Sequence, residues 1–171
     1  MANSTFGPIA DAIYTDLDNE VGLTRRTLER FPSGHNDWRP HVKSMTLAQL
    51  ASHVAELPGF ATAIVTTDGM DFAKGDYVSH SCNSAAELLA LFDSSVAALR
   101  AALASADNAS LARTWTLRKG EEVIITGPKG ELIRGIALNH LVHHRAQLGV
   151  YYRMLDIPVP ALYGPSADEG R

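Results

Sequence analysis

Three of the seven histidines in this chain occupy helical stripes that otherwise carry apolar side chains. Successive residues of a helix rotate by about 100°. With His53 set at zero, Leu50, Leu57, Phe60, Ala61 and Ile64 fall within about 80° of it. With His140 set at zero, His144, Ile133, Ile136, Ala137, Leu148, Tyr151 and Leu155 fall within the same about 80°. His140 and His144 are therefore neighbours one turn apart, and both point at a core. A buried polar group without a partner costs roughly 1–3 kcal/mol, so three core imidazoles need something to bind. An i, i+4 histidine pair converges on one point and is a known grip for zinc and similar ions. A third imidazole from a facing helix completes three protein ligands and leaves coordination positions for water or substrate, the pattern of a catalytic rather than a closed structural site. Neutral imidazole suits zinc, nickel, iron or copper better than magnesium or calcium. Zinc and nickel are the first expectation for the cofactor, with iron and manganese behind them. A lone core histidine is more often hydrogen-bonded structure than a ligand; the three together point to a divalent transition metal.

Other polar residues near these three carry weaker signals. Glu56, three residues after His53, and Gln147, three after His144, are spaced to accept a ring N–H and orient a ligand, although solvated helix-edge positions are the commoner fate of such residues. His143 lies about 60° from His140, at the stripe's edge, where it either lines the site or stays partly exposed. Tyr151, on the same stripe, reads as core before it reads as a general acid. His35, His41 and His80 fall in loops and read as surface. Cys82 has no base beside it in sequence and is not read as a nucleophile. It is also the single cysteine, so no intrachain disulfide forms, which suits a reducing compartment.

The elements that must position these residues follow from periodicity. The first helix is expected from about Pro8 to Phe31, with Ala10, Ile13, Leu17, Val21, Leu28 and Phe31 on one stripe and Thr24 in its one polar slot. Pro8 suits a first turn, and Pro32, Ser33 and Gly34 stop the helix. The second begins near Ser44 or Thr46, where Thr46-x-x-Gln49 reads as a capping box, and continues to about Val65, with a bend expected at Pro58. Residues 70–83 read as loop. Ser84-x-x-Glu87 opens a third helix through Leu88, Phe92, Val96, Leu99 and Leu103, fading over 104–108. Residues 112–127 are β-rich around the turn-like Lys119-Gly120 and read as a short hairpin or an extended loop. The fourth helix is expected from about Glu131 to Leu155, after which Pro158 and Pro160 leave an extended tail. The fold class is thus all-α, a four-helix bundle, with a possible short β-hairpin between helices 3 and 4.

Composition sets the class of molecule and excludes others. The 171 residues suit one domain, residues 1–171, with one substantial core. Apolar residues make up 46% and charged residues 20%, the balance of a folded chain. The net charge of −4, with scattered Lys and Arg, lacks the clustered positive footprint of a nucleic-acid binder. No run approaches the roughly 18 apolar residues of a membrane span, and Met1 to Pro8 lacks a basic segment followed by an apolar one. The expected location is cytoplasmic.

Three blocks of sequence carry a family resemblance. Asn139-His140-Leu141-Val142-His143-His144-Arg145-Ala146-Gln147-Leu148, followed by Tyr151-Tyr152-Arg153, resembles the C-terminal helix of the DinB family. So do residues 40–47 together with His53-Val54-Ala55-Glu56-Leu57-Pro58-Gly59, and the tail from Pro158 to Glu169. The family pattern has Gly where this chain has Ala146. The resemblance implies a four-helix bundle of the DinB type, often dimeric, so a homodimer is expected. It implies a metal held by one histidine of the second helix and the His-x-x-x-His of the fourth, roles that fall on His53, His140 and His144. It implies a small-molecule substrate, since relatives include transferases and isomerases that use low-molecular-weight thiols and proteins described as metal-dependent hydrolases. On the residues alone, a metal-dependent enzyme and a non-enzymatic metal-binding or stress-response protein both stand, and a sizeable pocket leading to the metal would separate them.

Overall fold

The computed structural model describes residues 7–170; most of the amino-terminal stretch read above for a secretory signal lies outside the described residues. The chain forms α1 (Pro8–Leu28), α2 (Leu47–Thr66), β1 (Gly69–Asp71), a 3-10 turn (Phe72–Lys74), α3 (Ala85–Ala104), the short α4 (Asn108–Ala112), β2 (Thr114–Lys119) and β3 (Glu122–Pro128). A last helical rod follows without a break: α5 (Lys129–Leu132), a π-helical segment (Ile133–Asn139) and α6 (His140–Met154). Among the described residues no helix is long and apolar enough to cross a membrane.

Four long helical segments pack in a ring in which α2 touches α3 and α6, and α1 touches the same two from the other side. Each starts where its sequence says it should. Pro8 opens α1. Thr46 and Gln49 form the reciprocal capping box of α2. The Ser84 side chain accepts from the Glu87 amide at the start of α3. Pro58 does not end α2, which runs through it to Thr66. A proline inside a helix costs about 3 kcal/mol. Val54, Leu57, Ala61 and Ile64 around it are at most 2% exposed, and burying each large one returns about 1.5–3 kcal/mol, so packing on both sides outweighs the lost backbone bond.

The expectation of an all-α fold needs correction. The molecule is mostly helical but carries a three-stranded sheet in the order β1-β2-β3, with β1 parallel to β2 and β2 antiparallel to β3. The hairpin read from residues 112–127 is present; the third strand lies in the stretch read as loop. Three residues are too few for alternation to register, and β1 is held by contacts no local pattern reports. A side chain at Gly69 would meet the Thr116 carbonyl at 2.8 Å, so only glycine lets this strand approach. Gly120, at φ 62, makes the left-handed turn of the hairpin. The hairpin has a bulge: Leu117 pairs with Ile125 and Arg118 with Val123, which leaves Ile124 without a partner.

Two further expectations change. The tail of α3 does not merely fade, because Asp107 caps a short helix whose Leu111 is buried. The fourth helix is not uniformly α, since seven residues before His140 are wound as π-helix. Apolar spacing does not distinguish the two windings. The core forms two clusters, one gathered around Leu28, Leu47, Val54, Phe92 and Tyr152, the other around Leu17, Ile64, Leu99, Trp115 and Ile133. His140 lies where the last rod passes from the second cluster to the first, and His53 lies on α2 one turn before that helix crosses between the same two clusters.

Candidate metal centre

The three histidines singled out by periodicity meet. His53 on α2 and His140 and His144 on α6 each offer a ring nitrogen, and these atoms lie within 4.8 Å of one another. Ring centroids are 5.1 Å apart for His53 and His140, 4.9 Å for His53 and His144, and 4.4 Å for His140 and His144. All three side chains are part-buried.

In each ring Nδ1 is already committed. His53 Nδ1 donates to Glu56 Oε1 at 3.0 Å. His144 Nδ1 donates to Gln147 Oε1 at 2.7 Å. His140 Nδ1 donates to the Ile136 carbonyl at 3.2 Å. A change from π to α hydrogen bonding passes over one carbonyl at the junction, and Ile136 lies in that turn. With Nδ1 carrying the proton, Nε2 carries the lone pair. His140 Nε2 and His144 Nε2 are then 2.7 Å apart, two lone pairs turned toward each other, an arrangement that a bound cation would relieve. The donor set therefore fits a transition-metal ion.

Two of the rings, those of His140 and His144, are also held neutral. Burial pushes His144 down to about 4, only partly opposed by its bond to Gln147, with His140, His53 and His143 adding to the shift. Burial likewise lowers His140, against the Ile136 carbonyl. Neutral imidazole is the form that ligates.

Glu56 is the hub behind His53. It is 4% exposed. Its Oε1 accepts from His53 and from the Tyr77 hydroxyl. Its Oε2 accepts from the His80 amide at 2.9 Å and from His80 Nδ1 at 3.1 Å. Burial alone would raise this carboxyl; the bonds from His53, His80 and Tyr77 outweigh it and hold the pKa below the ordinary value. One turn earlier, Ser52 Oγ accepts from the Cys82 amide at 2.9 Å. Ser52 and Glu56 thus pin the segment after the 3-10 turn onto α2. Cys82 itself is buried, and burial pushes its thiol up, away from nucleophilic use.

Arg145, the residue after His144, anchors the other side. It is 1% exposed; its guanidinium donates to Glu20 Oε2 at 2.6 Å, Thr24 Oγ1 at 2.9 Å and the Tyr163 hydroxyl at 2.6 Å. This fixes α6 against α1, and with it the direction of His144. The polar slot noted in the α1 stripe, Thr24, exists to receive this arginine.

A cavity of about 370 Å³ opens beside His53 and His140. Its walls are Leu57 and Phe60 from α2, Phe72 and Tyr77 from the segment after β1, Leu117, Ile124 and Ile125 from the hairpin, and Ile136 from the π segment. Two of the weaker expectations do not reach it. Tyr151 is buried against Trp38, with ring centroids 5.4 Å apart, and its hydroxyl donates to the Met45 carbonyl at 3.3 Å, so it is core and not pocket. His143 is exposed and touches the site only through ring contact with His144. The roles of Tyr77 and Arg145 escaped the sequence reading, and His80, read as surface, is exposed but also donates to Glu56. The one available signal was Glu56 itself, a carboxylate among apolar neighbours that needed donors.

A family model for the DinB superfamily matches residues 17–148. The chain belongs to the DinB superfamily. Solved structures agree on the fold: a DinB-like protein of Bacillus subtilis is 17% identical with a TM-score of 0.64, covering 87% of this chain and 95% of its own. A DinB-like protein of Bacillus cereus is 18% identical with a TM-score of 0.66, covering 90% and 97%. No curated protein matches this DinB chain.

Proposed function

We propose that His53, His140 and His144 hold one divalent transition metal, zinc or nickel first and iron or manganese next, and that the protein uses it to act on a small molecule. The observation that carries this reading is the convergence of three imidazoles whose Nδ1 atoms are all spoken for, at the edge of an open cavity. Three neutral ligands leave the ion's charge undiminished, so a bound ion lowers the pKa of a thiol or water that reaches it. The chain's own groups do the rest. Glu56 and Gln147 keep two of the rings in register, and the apolar wall excludes water from one side of the site.

Transfer of a low-molecular-weight thiol to an electrophile is the preferred reaction, ahead of hydrolysis. Water must fall much further in pKa than a thiol to give its anion near neutral pH, so hydrolysis gains more from a general base beside the metal. The carboxylate behind the triad, Glu56, has both oxygens occupied by four donors and a lowered pKa, so it is a poor base near neutral pH. A thiol needs only to lose its proton. The test is to incubate zinc- or nickel-loaded protein with bacillithiol, mycothiol, glutathione or coenzyme A and a chlorinated aromatic acceptor. Thiol consumption faster than with metal-free protein or His144→Ala supports the reading. Cleavage of esters or amides without thiol transfer would favour hydrolysis, and no turnover by either route would leave a metal-binding protein without catalysis.

A further inference from the structure

The cavity beside the histidines is walled by side chains of one character. None of the residues that line it is charged. Its polar groups are His53 and His140, at the metal end, and Tyr77, whose hydroxyl is turned away to Glu56. Phe60 and Tyr77 meet edge to face at 5.8 Å, and Phe72 lies 5.8 Å from Tyr77. These rings pack on one another instead of standing apart around a cation, so the pocket is not an aromatic cage for an ammonium group. Burying a charge or several hydroxyls here would leave them without partners.

The hairpin bulge shapes this wall. Side chains alternate along a strand, so consecutive residues face opposite ways. Ile124 and Ile125 nonetheless both line the cavity, and the unpaired position that allows it is Ile124. Ile124 remains 48% exposed and Phe72 38%. Large apolar groups left in water at the rim of a concave site mark a ligand mouth.

We infer that this pocket binds an uncharged, apolar, ring-containing small molecule, and that Ile124 on the β3 bulge is a specificity-determining residue for it. As an assignment of the electrophile, this rests on the thiol-transfer reading; as a binding site, it does not. The polar body of a low-molecular-weight thiol has no partner in the pocket and must approach from the His144 side, where His143 and Gln147 are exposed.

The experiment is fluorescence titration with N-phenyl-1-naphthylamine on metal-free and zinc-loaded protein. One probe per chain should bind with a blue shift in both forms. Ile124→Asp should weaken binding roughly tenfold or more, because its carboxylate would stand at the mouth. Ile124→Leu should restore it. Since position 124 is half exposed, the charge reaches solvent, and an unchanged melting temperature and unchanged zinc content show that the fold persists. Val150→Asp, at an exposed apolar residue of α6 that does not line the pocket, should bind like wild type. A bicyclic aromatic hydrocarbon should displace the probe, and glutathione should not displace it from metal-free protein. Wild-type binding by Ile124→Asp, displacement by glutathione, or no probe binding at all overturns the inference. Probe binding retained by a protein that takes up no metal would instead sink the metal proposal and leave the pocket standing.

Discussion

The helices and the sheet-bearing flank build the site by different rules. On α2 and α6 each candidate ligand is placed by helical period, and its orientation is set by a partner one turn away: Glu56 for His53, Gln147 for His144, Ile136 for His140. On the flank, Leu117 and Ile124 stand on strands of six and seven residues and Phe72 and Tyr77 on the segment after the three-residue β1, so they come together only through tertiary pairing. The helical side is local and rigid in its logic, and the flank is non-local. Changes confined to the flank would reshape the cavity and leave the three imidazoles where they are.

The largest expected effect breaks the helical half alone. His53→Ala, His140→Ala and His144→Ala should each reduce bound metal from about one ion per chain to near zero, because two neutral imidazoles hold an ion far more weakly than three. Far-UV circular dichroism should stay helical. Metal analysis after purification checks it, with Leu117→Ala and Ile124→Ala as flank variants that retain full metal. Undiminished metal in all three histidine variants would dismantle the site.

The same division explains what the sequence makes legible. His53, His140 and His144 were readable because each interrupts an apolar stripe of period 3.6, and three helix starts were readable because Pro8 opens α1 and Thr46 and Ser84 cap α2 and α3. The hairpin was readable from its β-branched runs around Gly120. Strand β1 was not, because its pairing partner Thr116 is 47 residues from Gly69. Arg145 was legible only by half: Thr24 announced a polar slot, but nothing local says that an arginine on α6 fills it. The π winding before His140 has no sequence period of its own.

Glu56 joins the two halves, so its substitution should produce a smaller, mixed effect. Glu56→Gln keeps the shape but removes the charge that four donors share. Metal affinity should fall about 10–100-fold, the usual consequence of losing a carboxylate behind a ligating histidine. Charge-assisted bonds contribute about 1.5–3 kcal/mol each, so a lower melting temperature is also expected. Competition with a chelator reads the affinity, and limited proteolysis within 75–83 reads the loosened segment. Affinity equal to wild type would mean that His53 needs no support from the flank.

Acidity should reveal the same contrast more gently. In the metal-free protein, His140 and His144 are held below the ordinary value of 6.5 by burial, His144 at about 4. The unfolded chain takes up protons near 6.5 while the folded one does not. Stability is therefore complete above that pH and declines as pH falls from 6.5 toward 4. Glu56, with its lowered pKa, keeps its bonds through this window and loses them only further down. Melting temperatures of metal-free wild type should fall between pH 7 and 5, and those of His144→Ala should fall less. Identical slopes would show that the buried rings do not titrate as placed.

The smallest effect is expected at His143, and it is the sharpest check on the helical rule. The sequence runs His140, His143, His144, and composition alone cannot say which two of these ligate. Residues four apart lie about 40° apart on a helix, and the third lies about 60° off to the other side. The structure follows that rule. His143 is exposed, and its ring lies 4.8 Å from that of His144 at 67°, near enough to feel the site's charge but outside the group of converging nitrogens. His143→Ala should therefore retain about one metal per chain, with affinity changed by no more than about threefold, the scale of a single exposed neighbour. It should also slightly ease protonation of His144, which feels His143 as a like charge. Should His143→Ala lose the metal while His144→Ala keeps it, the ligand pair would be offset by one position, and the orientation deduced for α6 from Arg145 and Gln147 would have to be abandoned with it.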